Sequence, residues 1–262
     1  MNPLFISLIQ APLVWENKEA NLGFFEEKIS ALKGKTQVVF LPEMFSTGFS
    51  MRPAELAEEM SGTSVAWMKN MAATYRVILC GSLIIKEQEN YFNRLLWVLP
   101  NGELGVYDKR HLFGFAGEDQ QYASGDKRLI ASVNGWRFNL QVCYDLRFPV
   151  WARQLQTEAG AEYDVLVYVA NWPERRRTAW MTLLQARAIE NQCYVIGVNR
   201  IGNDGNEIYH SGDSMVIDPL GEIVFTEKDK ECVFTYSLDP QRLQTIRQQL
   251  PFLKDGDVFS IL

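Results

Sequence analysis

The chain has 262 residues, 47% of them hydrophobic and 12% aromatic, which is enough apolar material for a well-packed core. A formal net charge of −6 disfavours nucleic acid as a partner, and the one basic cluster, Arg175-Arg176-Arg177, is too short to reverse that. No apolar run reaches membrane-spanning length and residues 1–10 read as a first strand rather than a leader, so a cytoplasmic protein with no membrane partner is expected.

Residues 5–10 form the first predicted strand, and 17–32 a helix with apolar side chains at 22, 25, 29 and 32. A continuous apolar strand at 37–41 follows, then a helix at 63–75 and a strand at 77–85 that carries Cys80. Strands at 91–99 and 103–108 pair through the turn sequence Pro100-Asn101-Gly102. Residues 136–142 lead as a strand to Cys143, and 147–155 are predicted helical. A buried run at 164–170, a long helix at 177–192 and a strand at 194–199 come next. Residues 215–225 read as a hairpin about Asp218-Pro219-Leu220-Gly221, 232–237 as a late strand and 240–249 as a closing helix. Runs apolar on both faces, alternating with amphipathic helices, predict an α/β fold whose sheets are covered by helices. The hairpins add antiparallel pairs, so a mixed sheet or two packed sheets is expected, in one domain spanning residues 1–262.

The four cysteines, at 80, 143, 193 and 232, include no CxxC pair. Cys80 and Cys193 lie in apolar sequence and read as buried reduced thiols, in keeping with a reducing compartment. Cys143 is different, because it stands where an apolar run stops and polar residues begin, in Val142-Cys143-Tyr144-Asp145-Leu146-Arg147. Two other strand-like runs end the same way, one on Glu43 after Leu41-Pro42 and one on Lys109 after Tyr107-Asp108.

A carboxylate, an ammonium and a thiol at three strand ends are the parts of a cysteine hydrolase that uses no histidine. A thiol of ordinary pKa, about 8.5, is mostly protonated at neutral pH and needs a base as it attacks. Glu43, partly desolvated at a strand end, suits that task. Lys109 supplies a positive charge for an oxyanion, and the backbone N–H of Tyr144 a second donor. The two histidines are given other roles: His111 orients a loop and His210 sits in the turn-like stretch Tyr209-His210-Ser211-Gly212-Asp213. Without a His/Cys/Asp cluster at ligand spacing, no metal or other cofactor is expected.

Five segments in order resemble the nitrilase, or carbon–nitrogen hydrolase, superfamily along almost the whole chain. They are Leu41-Pro42-Glu43-Met44-Phe45 with Thr47-Gly48-Phe49; Tyr107-Asp108-Lys109-Arg110-His111-Leu112-Phe113; Val142-Cys143-Tyr144-Asp145-Leu146-Arg147-Phe148-Pro149; Gln185-Ala186-Arg187-Ala188-Ile189-Glu190-Asn191; and Ser211-Gly212-Asp213-Ser214-Met215-Val216-Ile217-Asp218-Pro219. The resemblance implies a four-layer αββα sandwich that assembles as a homodimer. It implies Glu43 as general base, Lys109 as transition-state stabiliser and Cys143 as nucleophile, with Glu118 as a second glutamate that orients Lys109. The Cys-Tyr-Asp-Leu-Arg-Phe-Pro stretch is most similar to the omega-amidase branch, which deamidates 2-oxoglutaramate and 2-oxosuccinamate. Nitrilases proper carry Cys-Trp-Glu there, so nitrile chemistry loses support.

A substrate of that kind brings its own carboxylate and needs a cation to receive it. Arg147 is one candidate, against an internal pair with Asp145, and the arginines at 175–177 are others. Asn171 and Trp172, at the end of the run 164–170, are expected to face the same mouth and touch substrate. Two further readings stay open. In one the same triad acts on another small amide or an N-carbamoyl amino acid, and in the other the chain is a non-catalytic dimeric binding scaffold.

Overall fold

The computed structural model describes residues 1–157 and 160–261. In chain order the strands and helices are β1 (Leu4–Gln10), α1 (Lys18–Ser30), β2 (Val38–Phe40), α2 (Pro53–Leu56), α3 (Thr63–Tyr75), β3 (Ile78–Glu87), β4 (Asn90–Val98), β5 (Leu104–Asp108), α4 (Glu118–Gln121), β6 (Leu129–Val133), β7 (Trp136–Val142), α5 (Pro149–Ala152), β8 (Gln156–Thr157), β9 (Gly160–Ala161), β10 (Val165–Ala170), α6 (Arg177–Asn191), β11 (Tyr194–Asn199), β12 (Ile201–Asn203), β13 (Tyr209–Ile217), β14 (Ile223–Lys228), β15 (Cys232–Leu238) and α7 (Pro240–Gln249).

The strands make two mixed sheets. One runs β15-β1-β2-β3-β4-β5, the other β12-β13-β11-β10-β7-β6, with β14 added beside β13. Each has a parallel centre, β1-β2-β3 in the first and β7-β10-β11 in the second, flanked by antiparallel neighbours. The side-chain period of two decides the layering. Val38, Phe40, Ile78, Cys80, Leu95 and Trp97 point between the sheets, while Val39, Leu41, Leu79, Leu96 and Val98 point to the opposite face and pack on Phe25, Ile29, Val65 and Met68 of α1 and α3. Phe138 closes the inner layer, its ring centroid 6.2 Å from Phe40 and 5.2 Å from Trp97. Truncating such a ring to alanine typically costs about 3–5 kcal/mol.

On the far side of the second sheet α6 lies against β11 through a close contact: a Cβ on Gly197 would stand 2.5 Å from Leu184 and 2.8 Å from Trp180. Helices outside, two sheets inside, give the αββα order. Among the described residues no helix is long and apolar enough to cross a membrane.

Two expectations need correction. The helix predicted over 147–155 reduces to α5 and a preceding 3₁₀ turn, Cys143–Arg147. At Arg153 the backbone turns extended, because Asn191 Oδ1 accepts the Gln154 N–H and the Arg153 guanidinium reaches Glu190 O, so the chain is tied to α6 instead of its own helix. His210 lies on β13 rather than in a turn, paired with Gly202 of β12. The Ser-Gly-Asp signal marks a β-bulge, with Gly212 at φ 78° and Asp213 at φ 55°.

Candidate active site

β2, β5, β7 and β10 all end at one edge of the sandwich, and their next residues converge there. Glu43 follows β2 after Leu41-Pro42, Lys109 follows β5 directly, Cys143 follows β7 directly and Asn171 follows β10 directly. Cys143 sits in the left-handed region at φ 45°, which is strained for a residue with a Cβ and turns its side chain out of the β7 direction. Asp145 holds that turn. Its Oδ2 accepts from Val142 N–H at 3.0 Å and Tyr107 O–H at 2.7 Å, and its Oδ1 accepts from His111 N–H at 2.9 Å and contacts His111 Nδ1 at 2.8 Å. The His111 ring also stacks on Phe148 at 3.8 Å, so this histidine fastens the loop after Lys109 to the loop after Cys143.

Lys109 is fully buried, and its Nζ donates to Glu43 Oε1 at 2.9 Å and to both oxygens of Glu118, at 3.0 and 2.9 Å. Burial by itself would lower the Lys109 pKa, but the charges of Glu118 and Glu43 outweigh it and hold the ammonium protonated well above the usual lysine range. Glu118 responds the other way: burial, and to a lesser degree the charge of Glu43, push its pKa up against the opposing pull of Lys109. Glu118 also accepts the Phe113 N–H at 2.6 Å, tying the loop 109–118 closed around the lysine. Glu43 is held from a third side by the Asn171 N–H at 2.8 Å, while Asn171 Nδ2 donates to the Glu43 carbonyl at 2.6 Å. Burial first, then the adjacent charge of Glu43, raise the Cys143 thiol well above its ordinary value, so the resting sulfur carries its proton. Its Sγ lies 4.0 Å from the Asn171 carbonyl oxygen.

Cys143 and Lys109 lie in the lining of a cavity of about 480 Å³. Tyr144, Arg147, Asn171, Trp172, Arg176 and His210 line it. The Tyr144 ring packs between Phe113 and Phe148, at 5.0 and 5.1 Å. Trp172 is fixed by its N–H to Asn199 Oδ1 at 2.8 Å and its indole N–H to the Arg176 carbonyl at 2.8 Å. The Arg147 guanidinium lies over the Trp172 ring at 4.9 Å and the Arg176 guanidinium over Phe113 at 5.0 Å. The alternative pair between Arg147 and Asp145 does not form, because both Asp145 oxygens are already occupied as described. Among the described residues neither Arg147 nor Arg176 has a carboxylate partner, whereas Arg177 is engaged by Asp213 at 2.8 Å. His210 is buried and its pKa is lowered to about 4, by burial and then by Arg200, so it is neutral at pH 7.

Glu43, Lys109, Glu118, Cys143, Tyr144, Arg147, Asn171 and Trp172 thus come together in this one region, Arg177 does not join them, and sequence reasoning missed several residues that hold the site. Asp145 stood inside a quoted motif but was weighed only as an arginine partner. Asn199, which orients Trp172, ends an apolar strand as Glu43 and Asn171 do, and that shared position was its signal. Asn93 was legible only as a polar residue interrupting the apolar run of β4. No group of three or more histidine, cysteine or acidic side chains suited to a metal is found among the described residues.

The carbon-nitrogen hydrolase family model matches residues 5–248. The omega-amidase YafV of Yersinia enterocolitica is 42% identical over 264 residues, covering all of both chains. The 2-oxoglutaramate amidase of Bacillus subtilis is 31% identical, covering 95% of this chain and 96% of that one. Among solved structures, XC1258 from Xanthomonas campestris, described as a CN-hydrolase superfamily protein with an arsenic adduct in the active site, superposes with a TM-score of 0.98 at 42% identity over the full length of both chains. The chain is a member of the carbon–nitrogen hydrolase family, and a hydrolase of non-peptide carbon–nitrogen bonds.

Proposed function

We propose that this protein is an omega-amidase that hydrolyses the terminal amide of small dicarboxylic acid monoamides, 2-oxoglutaramate and 2-oxosuccinamate, to the acid and ammonia. The observation that carries the substrate class is the pair Arg147 and Arg176, cations on the wall of the thiol's own cavity and without an acidic partner among the described residues. A guanidinium in that position receives a carboxylate well, and its planar face is already held by an aromatic ring. Two full-length relatives bear the names omega-amidase and 2-oxoglutaramate amidase, which supports the same class.

In this reading Cys143 Sγ attacks the amide carbon as its proton passes to Glu43. The carbonyl electron pair moves to oxygen, and that oxyanion is met by the Lys109 ammonium and the Tyr144 N–H, which lies in the first turn of the 3₁₀ segment Cys143–Arg147 and so has no acceptor within it. Collapse breaks the carbon–nitrogen bond, Glu43 returns the proton to the departing nitrogen, and ammonia leaves behind a thioester. Glu43 then deprotonates water, which adds to the thioester; collapse releases the acid and a thiolate that takes the proton back. Glu118 keeps Lys109 charged and aimed. Asn171 lines the cavity, where it touches the substrate while its backbone N–H and side-chain amide hold Glu43. All four cysteines are unpaired and three are buried, which favours a reducing, cytoplasmic setting. Assembly as a homodimer is part of the same proposal, and the mass in solution tests it.

The activity is tested by ammonia release from 2-oxoglutaramate, glutamine, asparagine, an aliphatic nitrile and an N-carbamoyl amino acid. A kcat/KM highest for 2-oxoglutaramate is the expected result. Equal or greater turnover of the nitrile or the N-carbamoyl amino acid rejects the dicarboxylate reading, and equal or greater turnover of glutamine or asparagine rejects the preference for the 2-oxo acids.

A further inference from the structure

We infer that Asn93 is a positioning residue of the site, holding Glu43 as the ionised base by a hydrogen bond that it shares between Glu43 and Glu118. Asn93 lies on β4, fully buried, and Leu95 and Trp97 on the same strand face show that its side chain points between the sheets. Its Nδ2 donates to Glu43 Oε1 at 2.8 Å and to Glu118 Oε1 at 3.2 Å, and its backbone carbonyl accepts the Lys109 N–H at 3.0 Å. One residue therefore touches all three members of the buried charge cluster. The amide cannot be reversed, since that would set Oδ1 against two carboxylates; as placed, Oδ1 is buried and without a partner. Leaving an acceptor unsatisfied is costly, and it is tolerated here in exchange for presenting both N–H groups to the anions.

Charge counting explains what those donors do. Glu43 and Glu118 share one cation, so the buried cluster is one positive charge short if both are ionised. The groups facing Glu43 are Lys109, Glu118, Cys143, Asn93 and the Asn171 N–H, with the Tyr122 phenol nearby but committed to the Ser50 carbonyl at 2.5 Å. Asn93 and the Asn171 N–H are the neutral donors in that set. Glu118 keeps two Lys109 bonds and the Phe113 N–H, while Glu43 has one lysine bond, so the Asn93 contribution falls most heavily on Glu43. A donor to the ionised form lowers a carboxyl pKa, and removing it raises that pKa. The sequence signal is a polar residue in the otherwise apolar stretch Tyr91-Phe92-Asn93-Arg94-Leu95-Leu96.

This inference rests on Glu43 acting as base, and Glu43→Gln tests that part separately: retained turnover in Glu43→Gln overturns the base assignment itself. With that variant inactive, the pH dependence of kcat/KM is measured for the wild type, Asn93→Ala and Asn93→Asp. The acid limb is expected to move up by about one to two pH units in Asn93→Ala, and at least as far in Asn93→Asp, which replaces the donor by a third carboxyl group. A uniform fall in rate with an unmoved acid limb is what a merely structural role produces, and it overturns the proposal. In the wild type, the asparagine side-chain ¹⁵N spectrum carries an independent reading that needs no folded variant. One buried Nδ2 resonance is expected to titrate with the same midpoint as the acid limb, and no titrating asparagine resonance overturns the proposal as well.

Discussion

Replacing Lys109 by methionine removes the cation and keeps most of the side-chain volume. In the wild type its Nζ stands 2.9 Å from an oxygen of Glu43 and 2.9 Å from one of Glu118, with all three side chains fully buried. At an effective dielectric of about 20, each such pair is worth roughly 5–6 kcal/mol before desolvation is subtracted. Without the lysine, two adjacent buried carboxylates cannot both stay ionised, and one must take up a proton on folding. From an unfolded-state pKa of about 4.3, that uptake costs about 1.4 kcal/mol for every pH unit above it. The sign follows from proton counting: the folded variant binds a proton that its unfolded chain has released, so stability falls as pH rises above the unfolded pKa, until the folded carboxyl itself ionises. Glu118 already leans this way in the intact site, its pKa raised by burial and Glu43. Urea unfolding of Lys109→Met and wild type at pH 5.5 and pH 8 therefore gives a stability gap that widens at the higher pH, by about 3 kcal/mol if the proton remains bound. A gap of the same size at both pH values refutes the reasoning, because the carboxylates would then not depend on the lysine charge.

Asp145→Asn leaves only one oxygen where the wild type offers two, and at least one of Tyr107 O–H, Val142 N–H and His111 N–H loses its acceptor. The expected cost is about 2–4 kcal/mol, read as a Tm lowered by roughly 5–12 °C together with a large fall in kcat; an unchanged Tm contradicts the role given to this carboxylate. Gly197→Ala drives a methyl group into Leu184 and Trp180 and is expected to destabilise by about 1–3 kcal/mol in urea titration, while leaving KM unaltered in whatever fraction stays folded. Arg147→Ala and Arg176→Ala are each expected to raise KM for 2-oxoglutaramate by about tenfold or more with a smaller change in kcat. Unchanged KM in both variants removes the carboxylate clamp.

Much of the fold was legible because its signals are local. β10 is a continuous apolar run and β11 an apolar run closed by Asn199, β7 alternates apolar with polar residues at the strand period, and α3 and α7 begin and end at the residues the sequence suggests. The segment after Pro149 was misread because its hydrogen bonds go to Asn191 and Glu190, far along the chain, and nothing local reports that. For the same reason the bulge at Gly212 and Asp213 passed as a turn: both use left-handed residues, and only the pairing with β12 and β14 distinguishes them.

The site divides along the same line. Glu43, Lys109 and Cys143 were visible as reactive groups ending three apolar runs, and their convergence follows from strands whose ends share one edge of the sandwich. What surrounds them was not visible. Asp145 earns its place through partners at positions 107, 111 and 142, and Asn93 through partners at 43 and 118, contacts that depend on register between strands. For Arg147 the sequence offers an internal pair with Asp145 or another carboxylate ahead of a substrate anion, and only the structure shows both Asp145 oxygens filled by other donors.

The central claim is that the Cys143 sulfur does the attacking, and Cys143→Ala tests it most directly. The variant is expected to melt like the wild type and to release ammonia from 2-oxoglutaramate at least about 10⁴-fold more slowly; a folded Cys143→Ala enzyme that keeps a tenth or more of wild-type turnover contradicts the account.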